Sequence, residues 1–443
     1  MRFQLVYIVT TSLCLLHFAR AGFTDEPSCL PCEQAGLSTM TTMTSCPAKT
    51  SDQAAKSIFD GINYNKSRIA LYGWLQTGIT VNEYGQKNRY DSPYVAPVNR
   101  QLSGYSGNSQ LLMLEQQSDF KLNQLWLGVQ RLLDTSHGFD WGFQVDTAYG
   151  TDLRYCQSFN DKTFDYDWGH GDYYLSIVSL YGDLGYKNLS LRVGKFNSEM
   201  SNESFAATET FFYSKTYSFF NAPTVSGVKA AWQINDRWTV LGAWTTGENT
   251  SFENRFDDNG FLIQTRYKPT KSTSLKYSFL LERNNGLNKR PDAAIRYGRD
   301  WVAQDQYCHQ VVFVWDVTTR WRYAAEGFSC SRLNHRNQDN DTGFANGFNH
   351  NVFYKINERW SVGGRYEWLK ARNTFFDLRY LTGGSGTEIN SLAFAVNWQP
   401  TLRVNVRSEI RYDVTDYHNG YKPFDAGKHS DQWVFGCAGT VKF

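Results

Sequence analysis

Asp431-Gln432-Trp433-Val434-Phe435-Gly436-Cys437-Ala438-Gly439-Thr440-Val441-Lys442-Phe443 decides the fold. Trp433, Phe435, Cys437, Gly439, Val441 and Phe443 alternate with Val434, Gly436, Ala438, Thr440 and Lys442. The first set is mostly apolar with aromatics at both ends, and the second is small or polar. A repeat of two is a β-strand whose faces meet different surroundings. In a soluble protein such a segment is a greasy edge and an aggregation hazard. In a membrane barrel it is the closing strand, with the apolar face on lipid and an aromatic at the interface.

The same period recurs upstream. In 402–413, Leu402, Val404, Val406, Ser408, Ile410 and Tyr412 oppose Arg403, Asn405, Arg407, Glu409, Arg411 and Asp413. In 360–368, Trp360, Val362, Gly364, Tyr366 and Trp368 oppose Ser361, Gly363, Arg365 and Glu367. In 139–149, Phe139, Trp141, Phe143, Val145, Thr147 and Tyr149 oppose Asp140, Gly142, Gln144, Asp146 and Ala148. Sixteen strands follow from this pattern: 68–82, 120–132, 139–149, 174–186, 189–196, 225–234, 238–247, 260–268, 273–283, 306–316, 321–332, 344–356, 360–371, 388–399, 402–413 and 431–443. Within 120–132, Leu122, Leu125, Leu127 and Val129 do not share one parity, and a bulge reconciles them. The expected fold is all-β: a closed antiparallel transmembrane β-barrel of about sixteen strands.

Tight turns alternate with long polar connections, the asymmetry of an outer-membrane barrel with short periplasmic turns. Ile234-Asn235-Asp236-Arg237-Trp238 recurs as Ile356-Asn357-Glu358-Arg359-Trp360, with weaker echoes at Val317–Trp321 and Trp398–Leu402. Asn and Asp suit turns by local hydrogen bonding. The flanking large residues are expected at the membrane boundary.

Composition agrees with this picture. The chain has 443 residues, a formal charge of +2 and 41% hydrophobic residues, with 27 Tyr, 30 Phe and 14 Trp. Tyr and Trp concentrate where a ring sits at the boundary and its polar atom reaches water. Residues 1–21 have the pattern of a secretory signal peptide: Arg2, the apolar Leu5–Leu16, and Ala19-Arg20-Ala21. No later apolar run reaches the roughly 18 residues of a membrane helix. Residues 22–67 show neither period and read as a Cys/Ser/Thr-rich extension, either periplasmic or folded into the pore as a plug. Cys29-Leu-Pro-Cys32 reads as a local disulfide, since no second pair or His pair completes a metal site.

Several longer matches resemble one family. Arg68–Gly78 followed by Phe120–Leu127, Phe139-Asp140-Trp141-Gly142, Tyr149-Gly150-Thr151-Asp152, Val193-Gly194-Lys195-Phe196, Phe211-Phe212-Tyr213-Ser214, Glu409-Ile410-Arg411-Tyr412-Asp413 and Pro423-Phe424-Asp425 resemble the family described as putative beta-barrel porin-2, OmpL-like. The resemblance covers roughly 68–443. It implies an outer-membrane porin, a water-filled channel for passive diffusion of ions and small hydrophilic solutes, and carries no catalytic residues. A structural or adhesive barrel acting through its outer loops is the alternative.

In a barrel of this kind the charged face lines the lumen. Arg192, Lys355, Arg365, Glu367, Arg403, Arg407, Glu409, Arg411 and Asp413 are the expected pore-lining residues. Guanidinium groups across from carboxylates would set a transverse field. The connection from about 197 to 224 is the third long loop. With Glu203, Glu209, Phe211, Phe212 and Tyr213 it is the expected constriction, by analogy with porins at large. Trp433, Phe435, Val441 and Phe443 resemble the recognition signal read by the barrel-assembly machinery. The expected partners are outer-membrane lipids, that machinery and, by analogy, a homotrimer. No catalytic dyad, cofactor motif, metal spacing or basic nucleic-acid-binding domain is expected.

Overall fold

The computed structural model describes residues 68–84, 119–158, 164–166, 168–170, 173–217, 224–252, 259–283, 304–334, 342–372, 387–417, 422, 424–425 and 428–443. The expected signal peptide and the extension at 22–67 lie outside the described residues.

The strands are β1 (Ile69–Asn82), β2 (Lys121–Arg131), β3 (Phe139–Gly150), β4 (Gly169–His170), β5 (Tyr173–Tyr186), β6 (Leu189–Asn197), β7 (Thr224–Gln233), β8 (Trp238–Glu248), β9 (Asn259–Thr270), β10 (Thr273–Arg283), β11 (Gln304–Asp316), β12 (Trp321–Asn334), β13 (Thr342–Lys355), β14 (Trp360–Arg372), β15 (Thr387–Thr401), β16 (Val404–Tyr417) and β17 (Asp431–Lys442). Each of the sixteen expected strands is present, with ends moved by a few residues. The two-residue β4, unforeseen, pairs only with β5. All neighbours run antiparallel, and β17 pairs with both β16 and β1, so the sheet closes into a sixteen-strand barrel. Closure leaves none of the sixteen barrel strands as an open edge for another chain to pair with. Beyond β17, the Phe443 N–H donates to the Gly73 carbonyl at 2.9 Å, and Gly73 N–H returns the bond at 3.1 Å.

Alternation alone does not say which face is inside; the exposures do. On β17, Trp433 and Phe435 are 40% and 51% exposed, while Val434 and Ala438 are 3% and 1%. On β16, Arg407 and Arg411 are each 1% exposed and Asp413 is 0%. Large apolar side chains point out of the barrel and charges point in, the reverse of a soluble barrel and the arrangement lipid demands. No described helix is long and apolar enough to cross a membrane.

The parity break in β2 is a bulge. Gln76 pairs with Gln124 but Thr77 pairs with Leu122, so Asn123 is the extra residue and both Asn123 and Gln124 are buried inside. The tight turns share one mechanism. Asn235 Oδ1 accepts from the N–H groups of Arg237 and Trp238, both at 2.9 Å. Asn357 does the same for Arg359 and Trp360 at 2.9 and 3.0 Å, and the Thr318 hydroxyl for Arg320 and Trp321 at 3.1 and 3.0 Å. The fourth echo needs correction. The turn lies at Thr401–Val404, with the Thr401 hydroxyl accepting from Arg403 and Val404. Pro400 has no N–H to give the ladder, and the register shifts there between Trp398 and Thr401. Trp398 therefore stays in β15 and stacks on Trp360 at 5.8 Å. Trp238 on Tyr267 and Trp321 against Tyr354 continue this aromatic band on the outer surface.

Cys308 and Cys330 sit directly opposite each other on β11 and β12, buried and disulfide-bonded. Cys437 faces outward as expected, and Cys156 is buried.

Candidate functional site

The segment after β6 turns into the barrel. Glu199 takes a left-handed backbone (φ 57°), a strained conformation for a residue with a side chain. Contacts from several strands hold it there. Its carboxylate meets Lys229 at 3.0 Å and Arg192 at 3.9 Å. Its carbonyl accepts from Lys276 Nζ at 2.6 Å and Gln264 Nε2 at 3.2 Å. Burial works to raise the Glu199 carboxyl pKa, but Lys229 and Arg192 outweigh it and hold it below the ordinary 4.5. Next, the Asn202 N–H donates to Glu326 at 2.7 Å, and the Ser201 hydroxyl joins it. The chain then reaches β2. Gln124 Nε2 donates to the Phe205 carbonyl and Gln124 Oε1 accepts from Ala207 N–H, both at 3.0 Å.

From there the loop runs along β14–β16. The wall strand β15 presents Ser391, Ala393, Ala395 and Asn397 inward. Ala393 pairs with Arg365 on one side and Arg411 on the other. These small residues leave room for the loop, and the long side chains on either side close over it. Glu409 accepts the N–H groups of Tyr213 and Ser214 at 2.7 and 3.1 Å, and the Ser214 hydroxyl as well. Arg365 donates to the Ser214 carbonyl at 3.0 Å and pairs with Glu203 at 3.0 Å. Arg411 donates to the Lys215 carbonyl at 3.2 Å while pairing with Glu367 at 2.8 Å and Asp413 at 2.7 Å. Glu367 in turn accepts Tyr217 N–H at 2.7 Å. Arg407 holds Thr210 Oγ1 at 3.0 Å and the carbonyls of Phe212 and Ala207.

Loop aromatics fill gaps left by wall glycines. A Cβ at Gly363 would strike the Phe211 ring, and one at Gly78 would strike Tyr213. Tyr213 OH donates to Asn123 Oδ1 at 3.0 Å, and Phe212 lies under the Arg365 guanidinium at 4.5 Å. Burial pushes Lys215 down to about 8 and raises Glu209, which ends the short 3-10 turn Ala207–Glu209.

The residues expected along the lumen divide into groups. Arg365, Glu367, Arg407, Glu409, Arg411 and Asp413 are covered by the loop. Arg192 pairs with Asp183 at 2.8 Å and stacks over Tyr181 at 3.6 Å. Lys355 pairs with Glu358 at 3.0 Å near the short turns, and Arg403 is half-buried in the turn after β15. The expected transverse field is not the geometry found. The guanidiniums and carboxylates of β14 and β16 alternate within one wall, where they neutralise each other. Sequence reasoning named the loop's Glu203, Glu209, Phe211, Phe212 and Tyr213 but missed Ser214, Asn123 and Gln124. All three fall in stretches that carry the family resemblance, and Asn123 also marks the parity break. Below the loop, on the short-turn side, a recess partly open to solvent is bounded by Phe211, Phe212 and the inner faces of β12–β17.

With this geometry in hand, comparisons place the chain. The family described as putative beta-barrel porin-2, OmpL-like, matches residues 68–443. No curated protein matches by sequence. Among solved structures, the fold is similar to OmpT of Vibrio cholerae in its trimer form (TM-score 0.53, 11% identity, covering 85% of this chain and 99% of that one). It is also similar to an anion-selective porin from Comamonas acidovorans (0.54, 8%, 85% and 99%) and to the outer membrane channel DcaP of Acinetobacter baumannii (0.52, 11%, 85% and 97%). The chain belongs to the beta-barrel porin-2 family and is a barrel of the bacterial outer membrane.

Proposed function

We propose that this porin-family barrel is a passive diffusion channel for ions and small hydrophilic solutes, with the loop Ser198–Tyr217 setting its narrowest section. The observation that supports this most is the inward loop itself. A barrel serving only as a scaffold has no need to anchor a loop to interior side chains of β2, β7, β9, β10, β12 and β14–β16. Single-channel recording in a planar bilayer tests the proposal. Purified, heat-modifiable barrel is expected to give stepwise conductance; a folded barrel that never conducts overturns the channel and favours a structural or adhesive role.

Two further parts of the proposal have separate tests. Strand β17 with Phe443 serves closure and recognition by the assembly machinery, because Phe443 completes the β1 ladder at Gly73. Deleting Phe443 is expected to lower the assembled fraction on gels; unchanged assembly overturns this. A homotrimer is the second part. Its support is the outer face of β10–β13, where Tyr277 OH meets His309 Nδ1 at 2.8 Å and Tyr323 OH meets His350 Nδ1 at 2.5 Å. Outward histidines at membrane depth are costly against lipid, and a neighbouring protomer would shield them. Cross-linking that traps only monomer overturns it.

A further inference from the structure

The short-turn end of the barrel collects positive charge. In and beside the five tight turns between β7 and β16, at 234–237, 268–272, 316–322, 355–359 and 399–403, eight Lys or Arg stand against the three acids Asp236, Asp316 and Glu358, an excess of five. The whole chain has an excess of only two, from 45 Lys and Arg against 43 Asp and Glu. The charge is therefore gathered at this end and not spread evenly. Part of it faces the lumen. Arg322 lies opposite the buried Phe353 of β13, and Lys355 lies opposite Ser361 of β14. Arg359 follows in the turn after β13. All three line the recess beneath the loop.

The acids nearby do not cancel this charge. The recess is lined by five bases, Arg407 and Lys442 being the other two, against Glu203, Glu209 and Glu358. Glu203 pairs at 3.0 Å with Arg365, which is not part of that lining. Burial biases Glu209, the acid in reach of Lys442, toward its neutral form. Glu358 pairs with Lys355 at 3.0 Å and Asp316 with Arg322 at 3.4 Å. In both pairs the acid side chain is the more exposed, 82% against 28% and 53% against 19%. The carboxylates stand toward water, where they are screened, and the bases stand toward the recess. Higher up, the charges of β14 and β16 alternate within the wall and neutralise each other. An ion entering from the short-turn end thus meets a net positive mouth before it reaches the loop.

We infer that the channel favours small anions, and that Arg322, Lys355 and Arg359 at the short-turn mouth set this preference. A ring of basic side chains at the entrance to a low-dielectric passage raises the local concentration of anions and repels cations. A potential of about one kT there enriches a monovalent anion roughly threefold. The anion passes hydrated, without a fixed binding site. This rests on the channel reading and names its solute class.

The zero-current potential of the full-length barrel in a planar bilayer under a KCl gradient tests it. The potential should take the sign of the chloride equilibrium potential, with chloride preferred over potassium by about threefold or more. The preference should be larger near 0.1 M salt than near 1 M, because the screening length falls from about 10 Å to about 3 Å. Combining Arg322→Gln, Lys355→Gln and Arg359→Gln leaves Asp316 and Glu358 without their bases and should bring the potential to zero or reverse it. None of the three residues clamps the loop, and heat modifiability confirms folding. Lys428→Gln, beside Asp425 in the long connection at the opposite end, should leave the potential where it was. A zero-current potential at zero or of the potassium sign overturns the inference while the channel reading stands. So does an unchanged potential in the triple variant, or an equal shift in Lys428→Gln. A folded barrel that never conducts overturns both.

Discussion

The two ends of the inward loop are anchored by opposite means. Near Glu199 the loop brings the charge and the wall answers with Lys229, Arg192 and Lys276. From Tyr213 to Tyr217 the loop meets the charges of β14 and β16 with backbone groups and the Ser214 hydroxyl. There the wall holds both signs of charge, Arg365 and Arg411 against Glu367, Glu409 and Asp413. The first anchor depends on one titratable loop residue. The second is a cluster of paired charges within the wall itself, to which the loop adds hydrogen bonds, so it resists change until one of its own members is removed.

The most damaging way to break this contrast is Arg411→Ala. Glu367 and Asp413 would be left buried beside each other, a loss of about 3–5 kcal/mol. The thermal unfolding midpoint should drop clearly, and channels that still insert should be noisier and more conductive; an unchanged midpoint would show that the cluster does not hold the loop. Glu409→Gln comes next. It keeps the shape but weakens the bonds from Tyr213 and Ser214, costing about 1.5–3 kcal/mol. Assembly should survive while open-channel noise rises. Glu199→Gln at the other anchor is expected to cost less, about 1–2 kcal/mol, since the carbonyl contacts to Lys276 and Gln264 remain. If it proved as severe as Arg411→Ala, the two anchors would not differ as described.

The smallest effect sharpens the contrast by pH. Glu199 has a folded pKa below its ordinary 4.5, so its contribution is fully present above 4.5 and fades as pH falls through the lower folded value. Conductance noise should rise on acidification in that window, and the part due to this anchor should be missing in Glu199→Gln. Identical pH profiles for the two proteins would remove Glu199 from the account.

Much of the architecture was legible because strand alternation and turn chemistry are local. Asn235, Asn357 and Thr318 announce their turns, and the broken parity of Leu122 and Leu125 announces the bulge at Asn123. The Trp398–Leu402 echo misled because its spacing copied the motif while Pro400 moved the real turn to Thr401. Ser391, Ala393 and Ala395 were plain in the chain yet uninformative. Their meaning depends on Arg365 and Arg411 flanking them in register. The loop contacts were out of reach for a related reason: Tyr213 and Glu409 are 196 residues apart, and no periodicity links them.

By itself, then, the sequence determined the strands, their pairing as neighbours in order and the separation of each strand into an apolar and a charged face. Those features follow from side chains pointing to opposite sides of a pleated chain at every second residue. Alternation reads the same whichever side faces the lumen; the membrane reading of the chain set the charges inward, and the closed tertiary structure, with Trp433 outside and Arg411 inside, bears that direction out. It also turned the arginines expected to line an open lumen into the clamp of a loop. Whether an inward charge meets water or a backbone carbonyl depends on what crosses the lumen in front of it, and no single strand encodes that.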